Sequence, residues 1–379
     1  MNTGLDQYMD IFKDAVEDSA AKITKSFEKI LIEVIILFMV IPRKINFTQM
    51  GRYGSHVEQT YRNAFGLKKS KCIDWLKLNV SLAKRFFGKQ GRWAIAIDPS
   101  YISKAGKKTP HIGRFWSGCA QSVKHGLEIM GIGLVDIDAK DCMMLRAHQS
   151  LSNKELSLRN KTMVDFYISV IKRYRKELLK LSILIVADAY FSTSTFVNGI
   201  KKEGFSLISR FRDNACLFYV YAGPRTGKRG RPKTKDGKID MKNLDLTRME
   251  KMEMKDIEGT AYTLIAYSKA LKCKVRLVIW QMPNGKKKLF FSTPIWLERI
   301  FICSITPIMH LIARLSSFFA KKLRRSEIIF VYLLTALKFY LYSLAIIKIL
   351  IFSELHKLQS LFYSKITLNH ACEFSLAKL

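Results

Sequence analysis

A mixed α/β domain, preceded by a small helical N-terminal domain, is the fold class this sequence predicts. Two apolar runs, WAIAID (93–98) and LSILIVAD (181–188), each read as a buried strand ending in a carboxylate. A long stretch with helical periodicity, from Glu155 to Leu181, lies between them. Ahead of both, Val16, Ala20, Ile23, Phe27, Ile30, Leu31 and Val34 recur at helical spacing within Asp14 to Met39. A chain of 379 residues, 49% hydrophobic and 25% charged, holds enough apolar surface for two or three domains, and wholesale disorder is excluded.

Taken in order, residues 1–90 read as helices. The run Ile30 to Ile41 is too short to span a membrane and carries Glu33, so it reads as a buried helix. The following segment interleaves Arg52, Arg62, Lys68, Lys69 and Lys71 with Tyr53, Tyr61, Phe65 and Trp75. That pattern suits a small helical DNA-binding module, or else a helical pair with a solvated basic face. Residues 91–211 form the α/β core: WAIAID, the antiparallel neighbours 126–138 and 142–150, the helix from Glu155, LSILIVAD, and a helix capped by Ser192 or Thr193 that stops at Gly204. Strand FSLISRF (205–211) follows. Residues 212–293 begin as a polar, Gly- and Lys-rich loop or ribbon. They continue as strands 262–270, 274–280 and 287–293, with PNG (283–285) as the last turn.

Charge narrows the function. The chain has 64 Lys+Arg against 31 Asp+Glu, a net charge of +33. That balance selects a polyanionic partner, nucleic acid before an anionic membrane surface. The seven Cys are scattered with no C-x-x-C, which argues against a zinc site or a disulfide framework and fits a reducing compartment. The acidic, polar N-terminus is not expected to be a signal peptide, so a cytoplasmic location is expected.

Asp98 and Asp188 carry the chemistry. A carboxylate at the end of an apolar strand sits at the sheet rim, where ligands of α/β folds bind. Two on neighbouring strands can hold hard divalent cations through oxygen. A pair of such ions about 4 Å apart can clamp a phosphodiester for in-line displacement. Either Asp alone is as easily a cap or a turn residue.

These residues reach a known family. AIDPSYISKAGKKTPHIGRFWSGCAQSVKHGLEIMGIGLVDID strongly resembles the first catalytic block of bacterial DDE transposases of the insertion-sequence-4 type. VADAYFSTSTFVNGIKKEGFSLISRFRDNA is similar to the second block, and YAGPRTGKRGRPKTKDGKI to the basic segment of their inserted β region. The resemblance covers roughly residues 45–293. It implies an RNase H-like mixed sheet with an inserted β region. It also implies Asp98 and Asp188 as catalytic metal ligands, two Mg²⁺ (or Mn²⁺) ions, strand cleavage and strand transfer on double-stranded DNA, a homodimer holding two DNA ends, and work at the bacterial nucleoid. Lys104, Lys107 and Lys108, just after Asp98, are candidate phosphate contacts or else a solvated loop. In GKRGRPK (227–233), Lys228, Arg229, Arg231 and Lys233 flank an extended Gly-Arg-Pro core suited to a narrow minor groove.

The resemblance also implies a third acid, within Tyr-x2-Arg-x3-Glu-x6-Lys on a helix after the last strand. None of Glu298, Glu327, Glu354 and Glu373 has Arg four residues earlier, so the third position stays unassigned. Composition changes at the same place. All 20 Gly fall at or before Gly285 and no Asp follows Asp256. Only 11 of the 86 residues 294–379 are Gly, Asp, Ala, Val or Glu, the types whose codons begin with G. An out-of-frame tail is the preferred reading, ahead of a genuine helical tail. A membrane span over Ile328 to Phe352 is disfavoured by Lys338 and Lys348. A non-catalytic DNA-binding remnant and a membrane-anchored basic protein are the rival functions.

Among other residues, Glu128 lies beside the Asp98 strand, where it either approaches the metals or, as the preferred reading, is an ordinary strand residue. His111, His125 and His148 lack metal-ligand spacing, and Trp93 and Trp116 are expected in the core.

Overall fold

The computed structural model describes residues 4–296 except 20, 42–44, 67–72, 89–90, 107–108, 140, 225–231 and 253–257. Lys107, Lys108, Lys228, Arg229, Arg231, every glutamate tested as the third acid, and the span Ile328 to Phe352 therefore lie outside the described residues. No helix among the described residues is long and apolar enough to cross a membrane. The chain divides into two compact units, one through Phe86 and one from Phe87.

The first unit is helical: α1 (Gly4–Ser19), α2 (Lys25–Val40), α3 (Phe47–Tyr53), α4 (Glu58–Ala64) and α5 (Trp75–Phe87). The periodic stretch from Asp14 to Met39 is two helices rather than one. Lys22 takes a left-handed conformation (φ 56°), and the Thr24 hydroxyl accepts from the Phe27 amide to start α2 afresh. Phe27 then packs edge-on to Phe65 and Trp75, with ring centroids 5.2 and 6.2 Å apart. Helices α3 and α4 approach so closely that a Cβ on Gly51 would stand 2.8 Å from the Glu58 amide nitrogen.

Glu33 locks the turn between α3 and α4. Its Oε1 accepts from the Ser55 amide (2.5 Å), the Ser55 hydroxyl (2.7 Å) and the Tyr61 hydroxyl (2.7 Å). Burial alone would raise this carboxyl, but the Ser55 and Tyr61 donors and the His56 ring outweigh it and leave it below its ordinary 4.5. A lowered folded pKa stabilises the fold above the unfolded value and is lost as pH falls through the folded one. Acidification below about pH 4.5 should therefore loosen this unit, and Glu33→Gln should remove that acid-sensitive phase from a pH titration of helical circular dichroism. An identical profile in the variant would contradict the assignment.

The second unit is built on one mixed sheet. Its strands are β1 (Trp93–Ser103), β2 (Gly113–Ser117), β3 (Ser122–Asp136), β4 (Asp141–Gln149), β5 (Leu184–Ala187), β6 (Ser206–Arg210), β7 (Leu217–Val220), β8 (Lys235–Lys238), β9 (Glu250–Met252), β10 (Thr260–Ser268), β11 (Cys273–Gln281) and β12 (Lys287–Ser292). Among the described residues, helices α6 (Asn153–Ser157), α7 (Met163–Leu179) and α8 (Ser194–Lys202) accompany it. β1, β3 and β4 pair antiparallel, then β5 and β6 join β1 in parallel. This is the RNase H-like arrangement that the resemblance implies. β12 pairs antiparallel with β6, so the inserted strands extend the core sheet from its edge.

Two expectations change here. The stretch from Glu155 is not one helix: Asn160 is left-handed (φ 50°), and Thr162 and Asp165 form a capping box that begins α7. Also, β1 does not stop at Asp98. It continues to Ser103 because Pro99 to Ser103 pair with Met130 to Gly126 of β3. Thr193 proves to be the cap of α8, and Gly204 (φ 90°) ends it as expected.

Candidate active site

Strand register brings Asp98 and Asp188 together. β1 and β5 are in register at Ile95↔Ile185 and Ala96↔Val186, and β5 ends at Ala187. The parallel neighbour thus stops just short of Asp98, which leaves Asp98 inside its strand toward β3 but at an open rim toward β5. Asp188 begins the next turn, where its Oδ1 accepts from the Tyr190 amide (3.0 Å) and its carbonyl from the Ser209 hydroxyl (2.8 Å). Asp98 is half-buried and Asp188 is exposed.

The two carboxyls differ in their surroundings. Among the described residues, Asp98 accepts one side-chain hydrogen bond, from the Ser100 hydroxyl at 3.2 Å. Its pKa is pushed up to about 7, first by burial and then by the Asp188 charge, with Glu128 a smaller contributor. Asp188 is also raised, because its carboxyl is desolvated although the residue as a whole is exposed, and the Tyr190 amide, Arg210 and Arg212 hold it back. Two oxygen donors that repel each other at an open rim fit a hard divalent cation, which would restore both to the ionised form.

Glu128 belongs to the other face. Asp98 stands opposite Gly131, and cross-strand partners share a face. Glu128 is three residues from Gly131, so alternation turns it away from Asp98. There the Tyr167 hydroxyl of α7 donates to Glu128 Oε1 at 2.6 Å. Glu128 is buried and raised by that burial, with Tyr167 partly offsetting it. The pair ties α7 to the sheet beneath the site. Tyr167→Phe should leave the buried carboxyl without this donor and cost about 1–3 kcal/mol in chemical denaturation. An unchanged midpoint would show that the bond carries no stability.

Among the described residues, no group of three or more His, Cys, Asp or Glu side chains could hold a metal. The other sequence candidates fall elsewhere. Lys104 is half-buried just past β1. Lys233 bonds Asp236 (2.9 Å) and lies 4.6 Å over the Tyr221 ring. His111 pairs with Glu155 (2.7 Å), and His148 packs against Phe166 and Tyr174. Trp93 is half-buried and donates to Asp136 at 2.9 Å. Trp116 is not a core residue: it is 56% exposed, because it stands on the solvent side of the short two-stranded β2–β3 ribbon.

Three site neighbours were not singled out from sequence. Arg210 and Arg212 close strand FSLISRF and its exit, and the Arg-x-Arg pair beyond an apolar strand was a readable signal. Tyr190, 43% exposed, stands edge-on to Phe191 with ring centroids 5.3 Å apart. Its position beside Asp188 had no sequence signal beyond adjacency.

The sheet is RNase H-like, with Asp98 and Asp188 at the rim of β1 and β5. The family described as DDE superfamily endonuclease matches residues 27–264, more than half of the chain, and the chain belongs to that family. Its domain is of the transposase and endonuclease type, its substrate is DNA, and its members use divalent metal ions. No curated protein matches the chain.

Proposed function

We propose that this chain is a transposase of a bacterial insertion sequence of the insertion-sequence-4 type, in a copy whose third catalytic acid has been lost. The observation that carries the site is the register that sets Asp98 beside the end of β5, with Asp188 next in chain and both carboxyls raised. Asp98 and Asp188 are the metal ligands, for two ions, Mg²⁺ or Mn²⁺. When bound, the ions supply Lewis-acid stabilisation of the reacting phosphate and an activated water or 3′-hydroxyl. Arg210 and Arg212 hold phosphate oxygens beside Asp188, and Tyr190 walls the site on that side. Two copies hold two DNA ends.

Helices α3 and α4 serve as the DNA-binding module of the N-terminal unit. Gln59, Arg62 and Asn63 are exposed along α4, and Arg62 also pairs with Glu58 and lies over Phe47. Loss of the third acid rests on sequence. β12 ends at Ser292 beside β6, and the residues that follow carry no Tyr-x2-Arg-x3-Glu-x6-Lys. A shifted reading frame after Thr293 accounts for both that and the absence of Gly and Asp. The same absence favours a second reading, in which the chain as it stands binds DNA without cutting it.

Strand cleavage is the test. A frame-restored chain should cut duplex DNA only with Mg²⁺ or Mn²⁺; cutting that persists in a chelator would remove the reading. The basic arm has its own test. Replacing Lys228, Arg229, Arg231 and Lys233 by Ala should reduce the salt slope of DNA binding by about three to four units, at about 0.9 per released phosphate contact. The lower figure applies if Lys233 stays with Asp236. An unchanged slope would mean that the arm never meets phosphate.

A further inference from the structure

We propose that the β2–β3 ribbon enters a groove of the bound duplex, with Trp116 as its apolar wedge, on the same side of the sheet as Asp98. The inference rests on the DNA reading above and adds a contact to it.

The ribbon is unusual in what it exposes. Trp116 (56%) and Val123 (53%) are direct cross-strand partners, so the most exposed aromatic of β2 stands on an exposed aliphatic side chain. Arg114 pairs with His125 one step below. No acid occurs between Gly113 and Gly126, while Arg114 and Lys124 are both exposed. An apolar tip flanked by cations suits DNA, whose phosphates meet the cations and whose base steps take the apolar side chain.

Register fixes its direction. β3 pairs without a shift from Ser122 to Gly126 with β2 and from Gly126 to Asp136 with β1. Val123, His125 and Gly131 are separated by even steps and share a face, and partners across the ladder share it too. Trp116, Arg114 and Asp98 therefore look out from one side of the sheet. Val123 lies eight residues from Gly131, the partner of Asp98. At ~3.3 Å per residue that is ~25 Å, or roughly seven base pairs along a duplex. Two-stranded ribbons enter either groove of a duplex, and insertion of apolar side chains between base steps from the minor groove is a known use of such wedges.

The ribbon is also braced. Its residues 122–125 pair with β2 and not with β1. Phe115 on the opposite face is buried, and Gly113 packs so close to α6 that a Cβ there would stand 2.9 Å from the Ser152 Cβ. At the tip the Gln121 side-chain amide donates to the Gly118 carbonyl (2.6 Å), and the Ala120 amide to the Ser117 hydroxyl (3.4 Å). Such bracing keeps the tryptophan presented before DNA arrives.

The experiment compares the full chain with Trp116→Ala and Trp116→Phe, each checked for fold by circular dichroism. Fluorescence anisotropy is read on a labelled duplex of about 30 base pairs across a salt series. Trp116→Ala should weaken binding roughly ten-fold with the salt slope unchanged, since stacking and not charge is removed, and Trp116→Phe should recover most of the loss. Equal affinity of Trp116→Ala and a duplex-binding parent would overturn the proposal and leave the DNA reading standing. A Trp116→Ala chain that changes oligomeric state by light scattering but keeps its DNA affinity would also overturn it, in favour of an edge contact between copies. A parent that binds no duplex at any salt would remove both the proposal and the DNA reading.

Discussion

Asp98→Asn in a frame-restored chain should abolish metal-dependent DNA cleavage, with a fall of roughly a thousand-fold or more. The argument is electrostatic. A divalent ion supplies several kcal/mol of transition-state stabilisation, and each 1.36 kcal/mol is a factor of ten in rate. On the proposed reading Asp98 would hold its ion from inside a strand whose register is fixed by eleven paired residues of β3, which leaves it little freedom to shift. The Glu128 carboxyl faces the other way and is bonded to Tyr167. Asp188→Asn should have the same effect for a different structural reason. The amide still accepts from the Tyr190 N–H, so the turn survives while the charge goes. Cleavage that survives in either variant would remove that residue from the metal site.

The second large effect concerns the tail. Another reading frame of the gene across the codons for residues 285–379 should encode Tyr-x2-Arg-x3-Glu-x6-Lys soon after the LFFST strand. The chain as it stands should give no strand transfer, and the frame-restored chain should gain it. Physical position supports the expectation. β12 leaves Ser292 paired with Ile208 of β6, next to the strand that precedes Asp188 in the sheet order. The chain therefore leaves the sheet near the strands that carry the two aspartates. If no frame contains the pattern, the tail is genuine and the loss of the third acid needs another explanation.

How much of this was legible beforehand varies residue by residue. Asp98 and Asp188 stand out because each closes an apolar run, and an uninterrupted run marks a strand buried on both faces. The sequence does not reveal that β1 runs on past Asp98, since Pro99 reads as a stop and only pairing with β3 overrides it. Nor does it reveal the face of Glu128, because face depends on register and register is a tertiary property. Both helix breaks had local signals, Thr24 and the Thr162–Asp165 box, but apolar periodicity ran across them. Trp116 was misplaced for a related reason. A large aromatic in an alternating strand is usually inside, and nothing in GRFWS shows that its partner strand ends the sheet there.

The central claim is that Asp98 and Asp188 together bind a divalent metal ion, and it can be tested on the chain as it stands without cleavage. Mn²⁺ is titrated into the full chain, Asp98→Asn and Asp188→Asn, with free Mn²⁺ followed by electron paramagnetic resonance. The account predicts saturable binding by the parent and a weakening of about ten-fold or more in each variant, the order seen when a metal site loses part of its shell. Equal Mn²⁺ affinity in all three chains would contradict it.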